Sequence, residues 1–257
     1  MAIITLTSDA GNGYYTAAVK GAIYSEMPNV TVVDITNSIE PFDMLQAAFI
    51  LKNSYSDFPK GSIHIVDVNA FTEEGAKNIL ILFNGHYFIG ADNGLFSLVF
   101  NNIPEKKMEL TLDAAIDSLA FPMRDIFVKA ACNVAKGISL EDFTRPLDKL
   151  TERTAFKPSI DKNSIRGLVI FVDNYKNIFC NIDRETFETI RQNRNFTIAL
   201  RHDEITTISQ KYNDVAQGEI LAMFSHSGFL EIAMNQGAAS TMLNLKKNDQ
   251  ITIHFDD

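Results

Sequence analysis

Short apolar runs alternate with amphipathic stretches over the first 150 residues, and the texture then changes. Runs rich in β-branched residues at AIITLT (2–7), VTVVDIT (30–36), GSIHIVDV (61–68), NILILF (78–83) and HYFIG (86–90) read as strands. Between them YTAAVKGAIYSEM (15–27) and DMLQAAFILKNSY (43–55) carry helical periodicity. MRDIFVKAACNVAKGI (123–138) does the same, with Gly137 as its cap. Strands alternating with helices predict a mainly parallel sheet with flanking helices. Asn84-Gly85 between two strand runs is a hairpin signal, so the sheet is mixed.

From 145 to 166, RPLDKLTERTAFKPSIDKNSIR has charges and two prolines without periodicity and reads as a linker. After it, GLVIFVD, NIFCNI, FTIALR, EITTI, EILAMF, FLEIAM and QITIHF follow at about ten-residue spacing, which predicts an all-β, barrel-like domain. The expected organisation is an α/β domain over 1–150, a linker over 151–165 and a β-barrel-like domain over 166–257.

Composition narrows the function classes. The net charge is −9 with no basic stripe, so nucleic acid is not the expected partner, and no Lys/Arg cluster marks a membrane surface. No apolar run approaches membrane-spanning length, and MAIITLTSDAG reads as a first strand, not a leader, so a cytoplasmic protein is expected. Cys132 and Cys180 show no CxxC spacing and read as buried thiols. The histidines at 64, 86, 202, 226 and 254 show no metal-ligand spacing, so no metal site is expected.

Candidate chemistry gathers in a few loops. In TSDAGNGYY (7–15), Gly11 and Gly13 lack the third glycine of a phosphate-binding turn, and Asp9 would repel a pyrophosphate. A carboxylate there suits ribose hydroxyls, from which it accepts hydrogen bonds; the plainer reading is a helix N-cap. VDVNAFTEEGAKN (66–78) leaves a buried strand with Asp67 at its head, the place where α/β proteins hold ligands. Its Glu73-Glu74 pair reads as a solvated loop face. DNYKNIFCNI (173–182) interleaves Asp173, Asn174, Asn177 and Asn181 with aromatics, and FSHSGFLEIA (224–233) reads as a polar turn or a plain hairpin.

LTSDAG, VVDITNSI with PFDMLQAAFIL, HIVDV, YFIGADNGLFS, DNYKNIFCNI and SHSGFLEIAMNQGAAS together resemble the S-adenosylmethionine (SAM) hydrolases, or SAM hydroxide adenosyltransferases, which share a fold with the fluorinase and chlorinase. The resemblance implies an α/β domain followed by a β-barrel domain, and a homotrimer with SAM or adenosine bound between one subunit's first domain and its neighbour's second. It implies Asp9 on the ribose hydroxyls, Phe42 against the ligand and Phe121 on the ribose side. Asp173 would take the methionine amine, with Tyr175, Asn177 and Phe179 following around the adenine. Ser225, His226 and Ser227 would meet the methionine carboxylate, and Asn235 to Ala239 would offer backbone groups to adenine. No cofactor is implied, since SAM is itself substrate or ligand.

In the family an Asp, an Arg and a His deliver water to the 5′ carbon of SAM. Asp67 matches the Asp. The Arg falls at Ala76, with Lys77 beside it as a stand-in cation, and the His falls at Pro122 in FPMRD. An Asp near its reference pKa of about 3.9 is a weak base at neutral pH. Two readings follow: a SAM hydrolase with Asp67 and Lys77 as catalytic residues, or a SAM- or adenosine-binding protein without turnover. Halogenation is disfavoured, because a halide facing Asp67 would be repelled by roughly 4 kcal/mol at about 4 Å and an effective dielectric of 20.

Overall fold

The computed structural model describes residues 2–70, 77–112, 121–201 and 203–256. The chain divides into two compact units, Met1–Thr154 and Ala155–Asp257. Ala76 and the Glu73-Glu74 pair lie outside the described residues.

The first unit runs β1 (Ile3–Ser8), α1 (Tyr14–Glu26), β2 (Thr31–Thr36), α2 (Met44–Lys52), β3 (Ile63–Asp67), β4 (Asn78–Phe83), β5 (His86–Ala91), α3 (Leu95–Val99), β6 (Lys106–Leu110), α4 (Val128–Ala135) and β7 (Thr144–Pro146). Its sheet has the order β2-β1-β3-β5-β4-β6-β7. The first four of these strands are parallel, and β4, β6 and β7 join antiparallel. The Asn84-Gly85 hairpin accounts for the first antiparallel step, with both residues at positive φ as such a turn requires.

Strand alternation divides the core into two faces. Ile4, Leu6, Ile63 and Ile65 pack with Val19 and Ile23 of α1 and Ala131 of α4. Val66, Ile79 and Phe88 pack with Ala47 and Leu51 of α2 and Phe96 of α3. His64 lies inside this unit, its Nδ1 2.7 Å from the Thr5 hydroxyl and its Nε2 3.2 Å from His86 Nδ1. Burial first, and His86 second, push its imidazole down to about 3, which makes it a neutral structural group.

The second unit runs β8 (Ser159–Asp161), β9 (Ser164–Val172), β10 (Ile178–Asp183), α5 (Arg184–Arg191), β11 (Phe196–Ala199), β12 (Glu204–Ile205), β13 (Ile220–Phe224), β14 (Phe229–Met234), α6 (Ala239–Met242) and β15 (Gln250–Phe255). Its antiparallel sheet has the order β12-β11-β15-β9-β10-β14-β13, with β8 on β9. A bridge from Ile208 to Ala222 draws the two ends toward a barrel around Ile165, Val169, Phe187, Ile232 and Ile253.

Three features depart from the sequence reading. The stretch taken as a linker supplies a three-residue edge strand to each sheet, β7 and β8, too short to show periodicity. The helix expected over 123–138 opens with a π-helical turn, Met123–Phe127, before α4. The barrel unit is not purely β: α5 is capped by Asp183, which accepts from the Thr186 amide at 2.7 Å, and it buries Phe187. Cys132 and Cys180 are free and buried, with thiols pushed up to about 11 and about 12, chiefly by burial.

Gly90 lies opposite Val66 in the β3–β5 pairing. A Cβ there would stand 2.6 Å from the Val66 carbonyl oxygen and 3.1 Å from the Phe96 ring. Gly90→Ala should therefore force β3 and β5 apart one residue before Asp67. We expect a loss of about 1–3 kcal/mol in a denaturant titration; unchanged stability would show that the strands absorb the methyl group.

Candidate active site

Three chain segments meet at the carboxyl edge of β1, β2 and β3, and Asp9 is what ties them. Its Oδ2 accepts from the Phe42 amide at 2.8 Å and from the Asn69 amide at 3.4 Å, and its own amide donates to the Asp67 carbonyl at 3.3 Å. The helix N-cap reading of Asp9 does not hold, because α1 is capped by Gly13. Phe42 adopts φ 68 and is 71% exposed, a strained conformation for a bulky residue that the Asp9 bond helps to hold.

Asp67 ends β3, directly opposite Ser8 of β1. The residue keeps some surface open, yet its carboxyl is closely surrounded by protein. That burial, with the charge of Asp9 second, pushes it up to about 7. The expectation of an acid near its reference pKa is thereby overturned: this carboxyl has the proton affinity of a neutral-pH base.

The segment after Asp67 is pinned from the turn that follows β5. Asn93, which is buried, donates through Nδ2 to the carbonyls of Val68 at 2.9 Å and Asn69 at 3.0 Å. Lys77 accepts the Asp92 amide on its carbonyl at 2.8 Å, while its ammonium lies 3.1 Å from Glu109, which also binds Arg145 at 2.6 Å. The Lys77 charge is thus committed to Glu109.

Pro122 leads into the π-helical turn at φ −56, where it offers no proton chemistry. The Phe121 ring beside it meets Tyr15 edge-on at 5.3 Å and lies under the Arg124 guanidinium at 5.4 Å. Tyr14 and Tyr15, at the start of α1, have ring centres 3.9 Å apart with their planes tilted by 33°, and were not singled out in the sequence. A doubled tyrosine just after the Asp9 loop was the available signal.

In the second unit, Asp173 organises the turn between β9 and β10. Its Oδ1 accepts the Asn177 amide at 2.8 Å and its Oδ2 the Asn177 Nδ2 at 3.2 Å. Tyr175, in the turn, is 80% exposed. Phe179 lies on β10 with its ring 5.7 Å from Phe171. Ser240 at α6 donates its amide to the Lys176 carbonyl at 2.9 Å, which brings the Asp173 turn beside the Asn235–Ala239 segment. The Asn235 backbone is already engaged, its amide with Glu219 and its carbonyl with Gly218. Ala239 is fully buried.

The Ser225–Ser227 turn is set apart from this group along β14. Phe229 pairs with Asp183 and Ile232 with Ile178, an offset of roughly 10 Å at the usual strand rise. There the Ser225 and Ser227 hydroxyls lie 2.6 Å apart and His226 is exposed. The sequence reading also passed over Glu231, which is 2% exposed and accepts from the Tyr212 hydroxyl at 2.8 Å. Burial, with Asp173 adding to it, raises this carboxyl above its usual range. Among the described residues no group of three or more His, Cys, Asp or Glu is placed to hold a metal ion, and no helix is long and apolar enough to cross a membrane.

Comparison with known proteins places this geometry in a family. The (R)-S-adenosyl-L-methionine hydrolase of Methanocaldococcus jannaschii is 28% identical, over 98% of this chain and 96% of its own. A fluorinase from an Actinoplanes species is 22% identical over 98% and 97%. The crystal structure of an uncharacterized conserved protein from Thermotoga maritima superposes with a TM-score of 0.86 at 27% identity, covering 99% of this chain and 100% of that one. Residues 4–144 match the SAM hydroxide adenosyltransferase N-terminal domain and residues 167–252 the corresponding C-terminal domain, so the chain belongs to the SAM hydroxide adenosyltransferase family.

Proposed function

We propose that this protein hydrolyses SAM to adenosine and methionine, with Asp67 as the base. The observation that carries the reading is Asp67 itself, a carboxyl at the end of a central parallel strand whose surroundings push it up to about 7. A water oxygen attacks the 5′ carbon, the C5′–S bond breaks with its electron pair going to sulfur, and the water's proton passes to Asp67. Methionine leaves as a neutral thioether, and the net reaction releases one proton. The sulfonium already activates the leaving group, so positioning and one base suffice, and the reaction calls for no cofactor.

Asp9 is assigned to the ribose hydroxyls and Asp173 to the methionine ammonium. Phe42 and Tyr175, each largely exposed, suit the face of an adenine ring, a contact worth about 1–3 kcal/mol in comparable settings. Phe121, Asn177, Phe179, Ser225, His226, Ser227, Asn235 and Ala239 complete the proposed ligand set. The Lys77 ammonium is engaged by Glu109, which leaves the proton transfer to Asp67. The homotrimer and the cytoplasmic location belong to the same proposal. Sedimentation velocity at the trimer mass would agree with it, and a monomer that turns over SAM at full rate would exclude the shared site.

Adenosine release from SAM, with calorimetric binding in parallel, tests the activity. Asp67→Asn should lower release by about 10²–10⁴-fold while SAM still binds. Release unaffected by that change would remove Asp67 from the mechanism, and binding without release by the unmodified protein would leave a ligand-binding protein.

The pH dependence follows from the raised carboxyl. Asp67 acts as a base only when ionised, so kcat/KM should climb about tenfold per pH unit below neutrality and level off above about 7. The midpoint of kcat should lie lower, because a bound sulfonium favours the carboxylate. A flat profile between pH 5 and 8 (roughly the range bracketing that midpoint) would contradict the assignment.

A further inference from the structure

The outer face of the barrel carries a buried acid that the proposed reaction leaves without a task. Along β14, Leu230 and Ile232 belong to the barrel core, so Glu231 between them points outward. It lies opposite Phe179 of β10 and Met223 of β13, and Phe179 lies opposite Phe171 of β9. Asn177, two residues before Phe179, is then a diagonal neighbour of Glu231, at about 7–8 Å. Asp173 is bonded to that Asn177 side chain at 3.2 Å, which brings it to the same patch. From the loop between β12 and β13, the Tyr212 hydroxyl reaches the patch and donates to Glu231 Oε1 at 2.8 Å.

Glu231 is 2% exposed, yet nothing compensates its charge. Among the described residues no Lys, Arg or His forms an ion pair with Glu231 or Asp173. Glu231 Oε2 has no hydrogen-bond partner among them, and it is not one of the oxygens sealed from solvent, as Asp125 Oδ2 is. Asp173 spends one oxygen on the Asn177 amide and the other on its Nδ2, both neutral donors. The Asp173 charge is felt at Glu231 and at the Tyr212 hydroxyl, adding in each to the larger effect of burial. Acids are almost never this buried unless paired, and what these two lack is a cation.

We propose that Glu231 and Asp173 together seat the methionine ammonium of SAM, each accepting one of its N–H groups, with Tyr212 holding Glu231 in place. The inference rests on SAM as the ligand of this site. An ammonium presents three donors in a tetrahedral arrangement, and acceptors on two sides match them better than one carboxylate does. Glu231 also stands on β14 between the Asp173 turn and the Ser225–Ser227 turn. An ammonium shared by Glu231 and Asp173 is therefore drawn toward the hydroxyls assigned to the carboxylate of the same amino acid. Glu231 becomes a specificity residue: a nucleoside without the amino acid, adenosine included, gains nothing from it.

Calorimetry with SAM, adenosine and the SAM analogue that carries hydrogen in place of its amino group tests this. Glu231→Gln keeps an acceptor for Tyr212 and removes the charge. It should weaken SAM about 10- to 100-fold and leave adenosine and the deaminated analogue within about twofold of the unmodified protein. A merely structural Glu231 would shift all three ligands together or none, and either result would overturn the assignment. Should the variant not fold, a crystal structure of the unmodified protein with SAM decides. The methionine nitrogen should lie within about 3.2 Å of an oxygen of both Glu231 and Asp173, and a nitrogen more than about 4 Å from Glu231 would overturn the assignment. Amine-dependent SAM binding without adenosine release would keep the ammonium seat and remove the hydrolase reading. Hydrolysis with SAM affinity unchanged in Glu231→Gln would remove the seat alone.

Discussion

The carboxyl edge of the first sheet depends on the Asp9 carboxylate. A single oxygen takes backbone amides from the segments that follow β2 and β3, and the residue's own amide closes onto Asp67. Hydrogen bonds to an ionised acceptor are about twice as strong as neutral ones, so this group reinforces the Ser8–Asn37 and Gly11–Asn37 bonds that also join the first two loops. The arrangement has an electrostatic consequence. A carboxylate used as a fixed anchor is a fixed negative charge, and Asp67, held within its field and already short of solvent, binds its proton more tightly.

The same device recurs in the second unit. Asp173 folds the β9–β10 turn onto itself by accepting the Asn177 amide and side chain, and Lys176 within that turn adopts φ 67. Near Asp9, Phe42 at φ 68 and Asn69 at φ 50 both lie in the left-handed region. Each such conformation costs on the order of 1–3 kcal/mol, and each sits beside an Asp that rewards it with an amide contact. Both turns present an exposed aromatic ring, Phe42 in one and Tyr175 in the other.

Much of this was legible in the chain, because the strongest signals are local. Strand runs such as NILILF and FLEIAM match β4 and β14 residue for residue, since a buried strand must be continuously apolar or cleanly alternating. Edge strands β7 and β8 were not legible: three residues paired through the backbone leave no pattern. The capped helix α5 had its signals in DRETFETIR, an N-cap Asp with a buried Phe, but they were outweighed by the strand runs on either side. At the site the residue types at Asp9, Asp67 and Asp173 could be read, and the environment could not. The raised carboxyl of Asp67 comes from burial and from a residue 58 positions away, and the pairing of Ser8 with Asn37 comes from a register shift in β2.

The diversion of Lys77 to Glu109 is consistent with the chemistry proposed. Before reaction the site would hold two opposite charges, the Asp67 carboxylate and the sulfonium. As water attacks, the carboxylate takes a proton while the sulfonium takes the electron pair of the breaking bond, so both charges vanish together. A step that destroys charge is favoured by surroundings poor in solvent, because little hydration is surrendered in the transition state compared with the same step in water. A cation placed against Asp67 would work the other way, lowering its affinity for the proton it must accept and repelling the sulfonium. A site that relies on a desolvated carboxylate is therefore better served by a neutral donor such as an amide than by a second charge. Glu109 keeps the Lys77 ammonium occupied.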